Sequence, residues 1–142
     1  MSCDRSAPDV SYDELLSAMP PVLRDALVTD PWRLELLHRL DLPVERLAVG
    51  DLLWLLDLPL WQWDGVRFQV RPLEVLADPQ SYPHHMARIR AADLAYPIHV
   101  TEKAGRTTVL DGFRRLAKAH LEGRANIEAM RLSPTHLQTI SV

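Results

Sequence analysis

Cysteine is almost missing from this chain. Cys3 is the only one, so an intrachain disulfide is excluded, and a reducing compartment is the simpler expectation. A membrane-crossing run is missing too: the longest apolar stretch, Leu52 to Leu60, is broken by Asp57 and Pro59 and is too short for a bilayer. No apolar segment follows Met1-Ser2-Cys3-Asp4-Arg5, so a signal peptide is not expected either. Nor is there a basic surplus. Sixteen Lys and Arg face 19 Asp and Glu, a formal net charge of -3. Proteins that hold duplex DNA draw most of that affinity from neutralised phosphates, so this balance counts against a DNA-binding or nuclease role. Together these absences predict a soluble, cytoplasmic protein with no membrane partner.

What is present is an ordinary globular composition, 47% hydrophobic and 25% charged, over 142 residues, enough for one sizeable core. Eleven prolines mark where elements begin and end. Residues 1–10 read as a flexible tail. Residues 11–63 read as an all-helical segment: Tyr12 to Met19, Val22 to Val28, and a third helix opened by Asp30-Pro31 in cap-then-proline order. Leu34, Leu37 and Leu40 recur on one face of that helix, a stripe that must lie on the rest of the chain or on a partner such as a second copy. Trp54, Trp61 and Trp63 read as buried anchors between this layer and the remainder.

Residues 64–142 read as a small α/β unit. Asp64-Gly65 is a turn, and Val66, Phe68 and Val70 alternate as a strand. Pro72 to Leu76 and Pro83 to Ala92 read as helices, Pro97 to Thr101 and Thr107 to Leu110 as strands joined at Lys103-Ala104-Gly105-Arg106. Phe113 to Glu122 is a helix stopped by Gly123, and Ile127 to Leu132 a final strand.

The segment that carries chemistry is Asp111-Gly112-Phe113-Arg114-Arg115. A strand passes straight into a helix, with Asp111 suited to cap the first turn. Phe113, Leu116, Ala117 and Leu121 form the apolar stripe, which turns Arg114 and Arg115 away from the core. A helix amino end is already positive, and a cation there costs roughly 0.3–1 kcal/mol. Two arginines beside free backbone N–H groups and a glycine therefore point to a bound anion, for which phosphate is well matched. The plainer alternative is solvation, or pairing with acids such as Glu74 or Asp93.

From Arg71 to Leu132 the order of pieces resembles the ParB/sulfiredoxin-like superfamily: Pro97-Ile98-His99-Val100, then Val109-Leu110-Asp111-Gly112, then Arg114-Arg115 with Ala117 and Ala119, then Gly123 and the last strand. The resemblance implies a small mixed sheet with flanking helices and nucleotide binding, ATP or CTP with Mg²⁺. In ParB proteins a Gly-Glu-Arg-Arg box cradles the triphosphate of CTP, and in the free serine kinases of this fold an Asp-Gly-His-His-Arg box handles the nucleotide. Phe113 stands where a sulfiredoxin has its cysteine and where ParB has glutamate, which counts against sulfiredoxin chemistry.

The expected phosphate ligands are thus Gly112, Arg114 and Arg115, with His99 within reach from the neighbouring strand. Asp111 is the candidate metal ligand and catalytic acid or base, and Glu74 a second catalytic candidate on the loop facing the turn. The implied activity is a nucleotide-dependent phosphotransferase or NTPase acting on a small hydroxylated metabolite such as a free amino acid. A non-catalytic nucleotide-sensing or protein-interaction module is the alternative. His84-His85 read as surface or first-turn residues, since adjacent helical side chains diverge and no third ligand follows at zinc spacing.

Overall fold

Proline and apolar spacing set the first helices much as expected. The computed structural model describes residues 12–142; the tail read at residues 1–10, with Cys3, lies outside them. Helices α1 (Tyr12–Ala18), α2 (Pro21–Ala26) and α3 (Leu34–His38) are short. Such lengths are not stable alone in water, so packing must hold them. Met19, Leu23, Ala26 and Leu27 are buried in the main core. Leu37 is fully buried in a second cluster, flanked by Leu34 and Leu40. The leucine stripe is therefore spent on the chain's own interior.

The next element corrects the all-helical expectation for residues 11–63. Val44–Ala48 is a strand, β1. It pairs antiparallel with a strand near the other end of the chain, Val44 opposite Met130 and Ala48 opposite Asn126. A boundary between residues 63 and 64 therefore cuts across one sheet and one core. A 3₁₀ turn at Val49–Leu52 leads into α4 (Leu53–Leu56), and a hairpin follows, β2 (Trp61–Trp63) with β3 (Val66–Val70). Its turn residues Asp64 and Gly65 both have positive φ, 52° and 79°, the backbone of the tight hairpin turn that matches strand twist.

Helices α5 (Pro72–Ala77) and α6 (Pro83–Ala91) come next, then strands β4 (Ile98–Lys103) and β5 (Arg106–Asp111), helix α7 (Phe113–Leu121), strand β6 (Asn126–Leu132) and helix α8 (Pro134–Ile140). The last is held by Ser133, whose hydroxyl accepts from the His136 N–H at 3.2 Å while the His136 ring takes the Ser133 N–H. The four-stranded sheet runs β1-β6-β4-β5, with β4 and β6 parallel and the other pairs antiparallel. The fold is thus α+β, a mixed sheet with flanking helices plus a separate two-stranded hairpin. Among the described residues no helix is long and apolar enough to cross a membrane.

Both sheet faces are covered. One carries Ile98, Val100, Val109 and Ala129, packed by α7 through Leu116 and Ala119 and by α6 through Met86 and Ile89. Each fully buried leucine of this size contributes roughly 1.5–3 kcal/mol. The other face carries Leu110 and Leu132, covered among the described residues by Leu37 of α3 and Ile140 of α8 with their neighbours. Arg131 ties three strands: its guanidinium donates to Glu45 at 3.0 Å and to Glu102 at 2.9 Å. Two lysines close open helix ends. Lys118 Nζ donates to the carbonyls of Arg90 and Ala92 at the end of α6, and Lys103 Nζ to those of Arg24 and Leu27 at the end of α2.

Candidate functional site

The β5–α7 junction is where the sequence places the chemistry, and its shape has a local cause. Gly112 stands at the cap position of α7, one residue after Asp111, with φ of 120°. A Cβ there would lie 2.4 Å from Cγ2 of Ile98. The glycine is thus required by β4, which passes directly behind the turn; room for a ligand is not needed to explain it.

A second local feature decides where Asp111 points. Val100 lies opposite Val109, but His99 lies opposite Asp111, so β5 carries one extra residue at this end of the ladder. Simple alternation would set Leu110 across from His99 and send Asp111 to the opposite face. The bulge re-aims the carboxylate onto the side of His99, a known use of bulges near functional sites. Asp111 and His99 are both buried, at 8% and 7% exposure.

Around this carboxylate the groups converge from three parts of the chain. Arg115 donates to Asp111 Oδ2 at 2.9 Å, and also to the carbonyls of Tyr96 at 3.1 Å and Pro97 at 2.6 Å. His38, at the end of α3, lies with Nε2 3.2 Å from the same Oδ2. Its ring sits 5.8 Å from that of His99, tilted by 32°. Burial lowers the pKa of His99 below the ordinary histidine value; Asp111 opposes that effect, and Arg115 and His38 reinforce it. Nδ1 of His99 is buried with no hydrogen-bond partner among the described residues.

These residues form one wall of a cleft of about 800 Å³. Arg114 from α7 and Arg88 from α6 line it as well, both half-buried, and its apolar surface comes from Trp61, Phe113 and Met130 among others. The volume and the mix of apolar wall with a few charged groups suit a small-molecule ligand.

The structure brings together five of the six expected site residues: His99, Asp111, Gly112, Arg114 and Arg115 all line this cleft. Their roles differ from the expectation in two respects: Asp111 does not cap α7, whose cap position is Gly112 with no side-chain cap hydrogen bond, and the two arginines do different work. Arg115 is not a twin of Arg114; three of its five N–H donors already serve Asp111 and two carbonyls, which makes it a brace for the junction. Glu74 does not join the cleft lining. Its carboxylate accepts from the backbone N–H and Nε of Arg71, both at 3.0 Å, which caps α5 and keeps its pKa below the usual carboxylate range.

Sequence reasoning missed His38 and Arg88. Neither sits in a motif; His38 could have been suspected only as the polar residue closing the leucine-striped helix. His84 and His85 do lie in the first turn of α6, as one half of the reading had it, but His85 is not a surface residue. It is buried, stacks on Trp61 with ring centroids 5.2 Å apart, and lies with Nε2 2.8 Å from the Gln62 carbonyl. Of the tryptophans, Trp61 is the buried anchor expected, Trp54 lies beneath the guanidinium of Arg106 at 3.5 Å, and Trp63 is half exposed. No family model, curated protein or solved structure matches the chain.

Proposed function

We propose that the cleft binds a small phosphorylated ligand, a nucleotide in the form the ParB/sulfiredoxin-like resemblance implies. The observation that carries this reading is that Arg88 and Arg114 line one cleft together with Gly112 and Phe113 at the amino end of α7, and that the cleft is large enough for a nucleotide. The helix end and two guanidinium groups are matched to phosphate oxygens. Trp61 and Phe113 offer apolar surface for a base. Asp93 and Asp111 supply the opposing charge against which a metal-bound phosphate would be set. Support for the family reading is the run of strand, Asp-Gly turn, double-arginine helix and closing strand parallel to β4.

In its finer form the reading is a nucleotide-dependent phosphotransferase or NTPase, using ATP or CTP with Mg²⁺ in the cytoplasm. One feature favours turnover over a non-catalytic sensing module. His38, His99 and Asp111 line the same cleft, and a site that only had to hold an anion would gain nothing from burying two of them, His99 and Asp111.

Thermal denaturation with ATP, CTP, ADP and GTP, each with and without Mg²⁺, tests the binding claim. A ligand at 100 times its dissociation constant adds about 2.7 kcal/mol, which for a chain of this size raises Tm by roughly 5–10 °C. The combined substitution Arg88→Ala with Arg114→Ala removes that rise. Absence of a rise with every nucleotide, or a rise indifferent to both arginines, overturns the reading. Release of inorganic phosphate, alone and then with free amino acids, separates turnover from binding.

A further inference from the structure

We propose that His38, His99 and Asp111 form a binding site for one divalent transition-metal ion, open to the cleft. One ligand atom from each residue lies within 4.8 Å of those of the other two. The three come from the end of α3, the start of β4 and the end of β5, so only the tertiary fold, with its bulge at His99 and Asp111, brings them together. A plain hydrogen-bonded pair accounts for His38 and Asp111. It does not account for His99, an imidazole 93% buried beside them whose Nδ1 has no partner among the described residues. Burying such a polar group without compensation is costly, and a shared ion would give the third residue a purpose.

The donor set selects the ion. Two imidazole nitrogens and one carboxylate oxygen suit zinc, iron, cobalt or manganese, whereas magnesium and calcium favour oxygen throughout. Zinc bonds of about 2.0–2.1 Å place tetrahedral ligands roughly 3.3 Å apart, so the cluster must draw in slightly. His38 can supply that movement: its side chain is 51% exposed and sits at the end of a five-residue helix. Arg115, donating to Asp111 Oδ2, holds the carboxylate in place as an outer hydrogen-bond partner holds a metal ligand. Three protein ligands leave coordination positions facing the cleft, where Arg88 and Arg114 would steer in the oxygen of an anionic small molecule. The assignment does not depend on the nucleotide reading, since the ion alone is the probe.

The experiment uses the full chain, freed of any affinity tag and stripped with chelator, titrated with Co²⁺ and then challenged with Zn²⁺. The expected result is a visible absorption band saturating at one equivalent of Co²⁺ and abolished by Zn²⁺. His38→Ala, at an exposed position that leaves the core intact, weakens Co²⁺ binding about 100-fold or more; Asp111→Asn does the same. No saturable band, preference for Mg²⁺ over Co²⁺, or parental affinity in His38→Ala overturns the assignment. Lost nucleotide binding with intact Co²⁺ binding would sink only the earlier reading.

Discussion

The two faces of the four-stranded sheet are built to different standards. On one, α6 and α7 press Leu116, Ala119, Met86 and Ile89 onto Ile98, Val100, Val109 and Ala129, part of a core that also takes in the first two helices. On the other, Leu110 and Leu132 are covered by a five-residue helix and a seven-residue helix. The difference is functional as well as structural. The thick face holds α7, and hence Arg114, rigidly against the sheet. The thin face carries His38, whose short helix has little to anchor it beyond Leu37 and the partly buried residues around it. Short, lightly packed elements are where local opening is cheapest. The candidate site lies where the two faces meet, with its fixed groups on β4, β5 and α7 and its adjustable group on α3.

The sharpest way to break that contrast is to empty each face in turn. Leu116→Ala should cost about 3–5 kcal/mol, near the upper end for a leucine buried in a core that cannot collapse, and Leu37→Ala about 2–3 kcal/mol because the short helix can settle into the gap. Chemical denaturation of the two variants measures both, and equal losses would refute the difference in rigidity. Gly112→Ala comes next, at about 2–4 kcal/mol, since an L side chain at φ of 120° is strained and its Cβ meets Ile98. A variant as stable as the parent would show that the turn can move away from β4, and that the junction is less fixed than argued.

The smallest effect concerns pH and the thick face alone. Burial holds the pKa of His85 below its ordinary value, with the Gln62 carbonyl pulling the other way and His84, Arg114 and Arg88 adding to the lowering. The unfolded chain therefore binds the proton more readily. His85 contributes its full stability above about pH 6.5, and that contribution declines as pH falls through the window below. Replacement by Phe should flatten that part of the stability–pH curve. An unchanged slope in His85→Phe would remove this histidine from the account.

Much of the thick face was legible in the sequence, because its elements announce themselves locally. Proline opens α5 and α6, Gly123 follows the last turn of α7, and the apolar spacing around Leu116 has a helical period. The passage of β5 into α7 through Asp111 and Gly112 was legible for the same reason. On the thin face the leucine stripe of α3 was legible, but the edge strand of the sheet was not. Val44–Ala48 alternates only half-buried and exposed residues, so nothing within it declares a strand until β6 supplies the partner. The same holds for the site. Arg114 could be named from its place in a helix, but the bulge that turns Asp111 toward His99, and the arrival of His38 beside them, are tertiary facts with no local signature.

The pairing of β1 with β6 has a practical consequence for anyone who would trim this protein. A shortened version beginning at the Asp64 turn would seem to keep the whole mixed sheet. It would instead strip the outer strand from β6 and leave a bare row of amide and carbonyl groups along Asn126 to Leu132. Exposed rims of that kind recruit other polypeptides, so the fragment would be expected to precipitate or stick to itself rather than behave as an independent unit.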